Sequence, residues 1–294
     1  MLRGYGVAVD LIAYTSSGLT VGGVLCYPDD GARHSAVVHL HGGLGGIFDD
    51  PSGAMLDTCF RWAQLHGRTA FIPSYRGQDG GQGSPELCLG EADDVAAAVV
   101  MLRSLEVTDP ERVGLVGGSI GGCVALRAAP MIPNLRAVVA YVPPTDWKAL
   151  IEYHRTRWAP ATERLCDGSA RPWTTGGPDL ADTFDRIICG HPGCSDADYD
   201  ARSPIPGVPA QSAPTLIVAA GSDNVVPPDQ ELLWSIRRSD AGHPVTIEVM
   251  APCDAPQSPP FAEDVALYLQ GGFHLLSPGS ISSGLLYLMD ALDR

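Results

Sequence analysis

Positive charge is scarce in this chain. Lysine and arginine together number 19 against 34 aspartates and glutamates, a formal net charge of −15 over 294 residues. Nucleic acid and anionic membrane surfaces need a basic patch, so neither is expected as a partner. Long apolar runs are missing too, since no stretch approaches the length that spans a bilayer. The opening "MLRGYGVAVDLIAYTSSG" lacks a basic segment followed by a continuous apolar core. No signal peptide is therefore expected, and the cytoplasm is the expected location. The eight cysteines follow no regular framework. In a cytosolic chain of this size they read as small buried apolar residues or free thiols. The tightest group, "CGHPGC", offers Cys189, His191 and Cys194, yet no second Cys/His pair stands at a metal-site spacing. It reads as an irregular loop, with no metal and no cofactor expected.

What the chain does have is a hydrophobic content of 45%, enough for a folded core in one domain spanning 1–294. Short apolar runs alternate with helix-patterned stretches. Strands are expected at 36–43, 69–77, 112–118, 135–144, 213–221 and 244–250, with helices at 52–67, 90–107 and 119–130 between the earlier ones. Continuous apolar strands separated by helices imply an α/β fold, a mostly parallel central sheet covered by helices on both faces. Ahead of them, "GYGVAVDLIAYTSSGLTVGGVLCYPDD" reads as two alternating strands joined at Ser-Ser-Gly, an antiparallel start to the sheet. Residues 146–206 are too many for one crossover helix and read as a cap inserted over the sheet edge. The Pro-rich stretch 251–272 reads as an extended loop.

Within this pattern "GLVGGSIGG" matches G-x-S-x-G through Gly117, Ser119 and Gly121. The motif carries chemistry when it follows a strand and opens a helix, and "RVGLVG" and "IGGCVALRAA" satisfy that requirement. Glycine at 117 and 121 relieves the crowding around a strained serine backbone, and the turn lifts the hydroxyl above the sheet edge. A serine needs a base to attack near neutral pH. Asp223 follows the strand "LIVAAG", and His274 in "GGFHLL" precedes a final helix, giving the order Ser, Asp, His. The oxyanion donors are expected to be the N–H of Ile120 and an N–H of Gly43 or Leu44 in the loop after "VVHLHGG". Asp93 and Asp94 read as helix-start caps.

With these residues placed, the chain resembles an α/β-hydrolase, and more narrowly the catalytic domain of the prolyl oligopeptidase group. The matching pieces are "HGG" at 41–43, "SYRGQDGGQG" at 74–83, "GEADDVAAAVVML" at 90–102, "DPERVGLVGGSIGG" at 109–122, "ARSPI" at 201–205 and "GSDNVVPPDQ" at 221–230. The resemblance implies Ser119 as nucleophile, Asp223 as acid and His274 as general base. The sequence departs from the group in containing no propeller, in a longer cap, and in some twenty residues between the last strand and the histidine. Free-standing members of this kind are commonly esterases, lactonases, thioesterases or small peptidases.

The expected function is hydrolysis of a carboxylic ester or thioester of a small to medium metabolite through an acyl-enzyme, with a small amide, peptide or lactone as variants. The alternative is a non-hydrolytic catalyst or ligand-binding protein that keeps the fold. A small molecule is the expected partner, and self-association is left open. His41 and, from the cap, Arg155, Arg157, Trp158 and Trp173 are candidates for contact with substrate. The competing reading of the cap residues is a solvated helix face over two buried tryptophans. Arginines facing the pocket would favour an anionic substrate.

Overall fold

In the computed structural model, residues 2–164, 170–210, 212–221, 223–250 and 278–294 are described. They form a nine-stranded sheet in the order β1-β2-β3-β5-β4-β6-β7-β10-β11. The first hairpin pairs β2 (Val7–Ser16) with β3 (Leu19–Pro28). Its two-residue turn puts Ser17 at φ 48° and Gly18 at φ 82°, the left-handed pair that matches strand twist. From β5 (Thr69–Ser74) onward all neighbours are parallel: β4 (His34–Leu40), β6 (Thr108–Gly118), β7 (Val138–Tyr141), β10 (Thr215–Ala220) and β11 (Val245–Met250). Short β1 (Leu2–Gly4) borders β2.

Helices cover both faces because both faces of these strands are apolar. Helix α1 (Ala54–His66) and the C-terminal helix α8 (Pro278–Asp293) pack on one side through Trp62, Leu288 and Leu292. Helices α2 (Gly90–Arg103), α3 (Ile120–Ala128) and α7 (Asp229–Asp240) pack on the other, through Val95, Val124 and Trp234 among others. The chain leaves β4 toward β5 by one face and returns past it to β6 by the other. That reversal opens a crevice at the carboxyl ends of the strands, where ligands of open α/β sheets bind. The loops after β4, β5, β6, β7 and β10 all emerge at that edge.

The connection from β7 to β10 carries α4 (Trp147–Thr156), the hairpin β8 (Ala161–Arg164) and β9 (Ala170–Trp173), α5 (Pro178–Cys189) and the short α6 (Asp196–Asp200). Trp147 of α4 meets Phe184 of α5 edge to face, ring centroids 5.2 Å apart. Polar contacts fix the same helices. Asp185, fully buried, pairs with Arg155 and accepts from Tyr199 Oη at 2.7 Å and Gly193 N at 2.6 Å. Arg202 ties this insertion to the sheet-edge loops by donating to Glu86 O, Asp198 O and Ile188 O.

Two sequence expectations are corrected here. The cysteines are not all free thiols, because disulfides join Cys26 to Cys59, Cys88 to Cys123 and Cys189 to Cys194. The fold brings residues distant in sequence to Cα separations of 5.6 and 6.1 Å, within disulfide reach. No helix among the described residues is long and apolar enough to cross a membrane. Asp94, second, does not cap its helix: its carboxylate takes Arg76 N at 2.9 Å and the guanidinium at 3.2 and 2.9 Å. A fully buried carboxylate needs such a partner more than a helix end needs a cap. His274 and the 251–272 loop lie outside the described residues.

Candidate active site

Ser119 stands between the end of β6 and the first turn of α3, with φ 53° and ψ −124°. No L-residue adopts this conformation without strain, of order 1–3 kcal/mol, so the surroundings must impose it. Its own N–H donates to Tyr141 O of the neighbouring strand at 2.8 Å, and its carbonyl accepts from Cys123 N at 3.1 Å. The glycines close the trap from both sides. A Cβ on Gly117 would lie 2.4 Å from Gly121 O, and one on Gly121 would lie 2.1 Å from Leu40 O. The crowding that the sequence suggests is therefore against backbone carbonyls, including the end of β4, rather than between two side chains.

The loop after β4 lies directly beside the serine, since a Cβ on Gly42 would be 3.2 Å from Ser119 Cβ. Gly43, Leu44, Ser119 and Ile120 share one cavity of about 190 Å³. Ile120 begins α3, so no carbonyl within the helix can take its N–H. Above this floor the cavity is walled by Trp147 and Leu150 of α4 and by Leu180 and Phe184 of α5, with Pro144, Val225 and Val226 beside them. Among the described residues no charged side chain lines it, and Ser119 and Thr175 supply the side-chain hydroxyls.

Asp223 follows β10 by three residues and is half-buried. Its Oδ1 accepts from Val225 N at 2.8 Å and Val226 N at 3.0 Å, which fixes the carboxylate in a tight turn beside the cavity wall. His274 has no described position to set against it.

The other sequence candidates fall elsewhere. His41 is buried, with its ring 4.4 Å from that of Tyr75 and its Nδ1 3.1 Å from Gly42 O. Burial pushes its pKa down, and it supports the loop rather than lining the cavity. Arg155 is occupied by Asp182 at 3.1 Å and by Asp185. Arg157 is exposed, its guanidinium 5.4 Å from the Tyr153 ring centroid. Trp158 packs over Gly176 and Gly177. Trp173 contributes its backbone to β9, and its side chain lies outside what is described. Neither arginine faces the cavity, so the expectation of an anionic substrate loses its basis.

The sequence profile of the alpha/beta hydrolase family matches residues 37–256. The chain belongs to that family. An uncharacterized peptidase of Bacillus subtilis, YtmA, is 23% identical over 215 residues, covering 73% of each chain. Among solved structures, an esterase of Pyrobaculum calidifontis superposes with a TM-score of 0.68 at 18% identity, over 96% of this chain and 85% of its own. An acylaminoacyl peptidase of Pyrococcus horikoshii gives a TM-score of 0.60 at 19% identity, over 84% of this chain. This chain spans 38% of that peptidase's length.

Several residues that shape the hydrolase's site escape a sequence reading. The segment after β5 moulds the loop after β4. Tyr75 Oη donates to His41 O at 3.2 Å, and Gln78 Nε2 donates to Leu44 O at 3.2 Å. Asp79 accepts from Ile47 N at 2.8 Å and Phe48 N at 3.2 Å, and is itself held by Ser74 Oγ at 2.6 Å. "SYRGQD" stood out only as a family motif. On the opposite side, His154 of α4 bridges the insertion and the loop after β10. Its Nε2 donates to Val225 O at 2.9 Å, while Nδ1 accepts from Gly177 N at 3.1 Å. Gln230 adds to this side by accepting from Thr145 N and Asp146 N through Oε1. Glu231 is fully buried on α7, and its oxygens find no hydrogen-bond partner among the described residues. Burial holds its pKa well above the usual carboxylate range.

Proposed function

We propose that this family member is a serine hydrolase that cleaves a carboxylic ester or thioester of a small to medium metabolite. The observation that carries the reading is the backbone of Ser119, held at φ 53° and ψ −124° on the floor of a cavity that it shares with Gly43, Leu44 and Ile120. Strain of this kind is kept where it aims a side chain.

In this reading Ser119 Oγ attacks the substrate carbonyl as His274 takes its proton. Asp223 holds the imidazole in the required tautomer. Charge on the carbonyl oxygen is met by the N–H of Ile120 and by one from Gly43 or Leu44, a donor pair in which each member is worth about 3 kcal/mol of transition-state stabilisation. The acyl–oxygen or acyl–sulfur bond then breaks, and the leaving group takes the proton from the imidazolium. Water repeats the sequence and frees Ser119. The esterase and peptidase names among the structural neighbours suit this chemistry.

The test is pre-steady-state kinetics on matched nitrophenyl esters, thioesters and anilides. The expected result is a burst of leaving group equal to the enzyme concentration, with ester and thioester ahead of anilide and no burst from Ser119→Ala. Turnover without a burst, unaffected by Ser119→Ala, would overturn the reading.

A further inference from the structure

We propose that the cavity above Ser119 selects an uncharged, apolar substituent of about six to eight carbons and rejects one carrying a charge. The inference rests on the serine-hydrolase reading and concerns what the same site admits.

Three observations carry it. First, the described walls are built from Leu44, Pro144, Leu150, Leu180, Phe184 and Val225, with no ionisable side chain among the described lining residues. A carboxylate or phosphate placed there would lose its water without gaining a partner. Second, Arg155 and Arg157 at the end of α4 do not face the cavity. Arg155 is bound by Asp182 and by buried Asp185, and Arg157 lies outside over Tyr153. Third, the volume sets a scale. At about 190 Å³ it slightly exceeds the roughly 150 Å³ apolar cavity known to hold benzene, which sets the six-to-eight-carbon scale.

The walls are also braced. Phe184 is braced by Trp147, and α5 is anchored by Asp185 in its middle and by Cys189–Cys194 at its end. Helix α4 is pinned to the acid loop through His154. Walls tied at this many points do not open freely for a longer chain, so size discrimination falls on Leu180 and Phe184.

The experiment is kcat/KM for nitrophenyl esters from acetyl to dodecanoyl, with phenylacetyl and hemisuccinyl esters alongside. Each methylene up to the limit should raise kcat/KM about fourfold, from the free energy of burying it. The value should then fall beyond octanoyl, and the hemisuccinate should lie at least about a hundredfold below the neutral ester of similar length. Phe184→Leu should move the optimum to longer chains and Leu180→Phe to shorter ones. An acetyl optimum, a hemisuccinate equal to its neutral counterpart, or an optimum that neither variant moves would overturn the proposal. If no ester is turned over, the hydrolase reading fails separately, and the pocket is tested by thermal shift with alcohols. Hexanol and benzyl alcohol should then raise Tm above the value in ethanol, and equal shifts would overturn the proposal.

Discussion

The two loops that flank Ser119 are supported by different parts of the chain. On one bank, the 41–48 loop is held by the neighbouring strand's own exit, through Tyr75, Gln78 and Asp79. That support comes from 74–79, beside it in the sheet, and does not involve the insertion. On the other bank, the 223–226 loop is held from above by α4 of the insertion, through Tyr153 Oη to Asn224 O and His154 to Val225 O. The proposed oxyanion side thus belongs to the sheet, while the proposed acid side depends on how the insertion is seated. A disturbance of the insertion should reach Asp223 and leave the oxyanion loop in place.

The banks also differ in buried ionisable groups. Under the first, His39 accepts from Trp62 Nε1 at 3.2 Å, and burial pushes its pKa down to about 3. Beside the second, Glu231 is pushed the opposite way. An imidazole held neutral lends stability that is present above its unfolded pKa of about 6.5 and is lost as pH falls toward 3. A carboxyl held protonated lends stability that is present at low pH and is lost as pH rises through its raised pKa.

The largest expected effect comes from breaking the first bank. Gln78→Ala combined with Asp79→Ala should lower kcat about 10- to 100-fold with little change in KM, short of the ~10²–10³ that losing a donor itself costs. Asp79→Asn, which keeps one acceptor oxygen, should recover part of it. An unchanged kcat would remove the loop's dependence on 74–79. Breaking the second bank is expected to cost less. His154→Ala should lower kcat about tenfold and stability by ~1–3 kcal/mol in urea, because Val225 O and Gly177 N lose their partner. Its effect on kcat should add to that of the Gln78/Asp79 variant, since the hydrogen bonds that hold the two banks share no residue; strong coupling would mean that they are one unit.

The pH difference is smaller and opposite in sign. His39→Gln should flatten the loss of Tm between pH 6.5 and 4, while Glu231→Gln should gain stability over wild type as pH rises above the ordinary carboxyl value of 4.5. Parallel pH profiles for either variant and wild type would contradict the assignment. The smallest effect belongs to Arg157→Ala, expected within about 0.5 kcal/mol of wild type and with equal KM changes for anionic and neutral esters.

Sequence reading reached the parts of this site that are built from neighbours in the chain. The Gly117–Ser119–Gly121 turn, the Ser17–Gly18 hairpin and the strand–helix alternation are local, so their residues state their geometry. The disulfides escaped it, because Cys26 and Cys59 meet across 33 residues and Cys88 and Cys123 across 35. Asp94 looked like a cap until the fold brought Arg76 to it. Arg155 and His154 share one helix of the insertion and look equally free to reach a ligand. Only the packing of α5 and of the acid loop shows that the first is neutralised and the second is a strut.

The central claim is that Ser119 is an activated nucleophile, and covalent labelling tests it most directly. Intact-mass spectrometry after incubation with a small fluorophosphonate should give one adduct on the wild type, mapped by digestion to the peptide bearing Ser119, and none on Ser119→Ala. An adduct that persists on Ser119→Ala, or none on folded wild type even with the smallest probe, would contradict it.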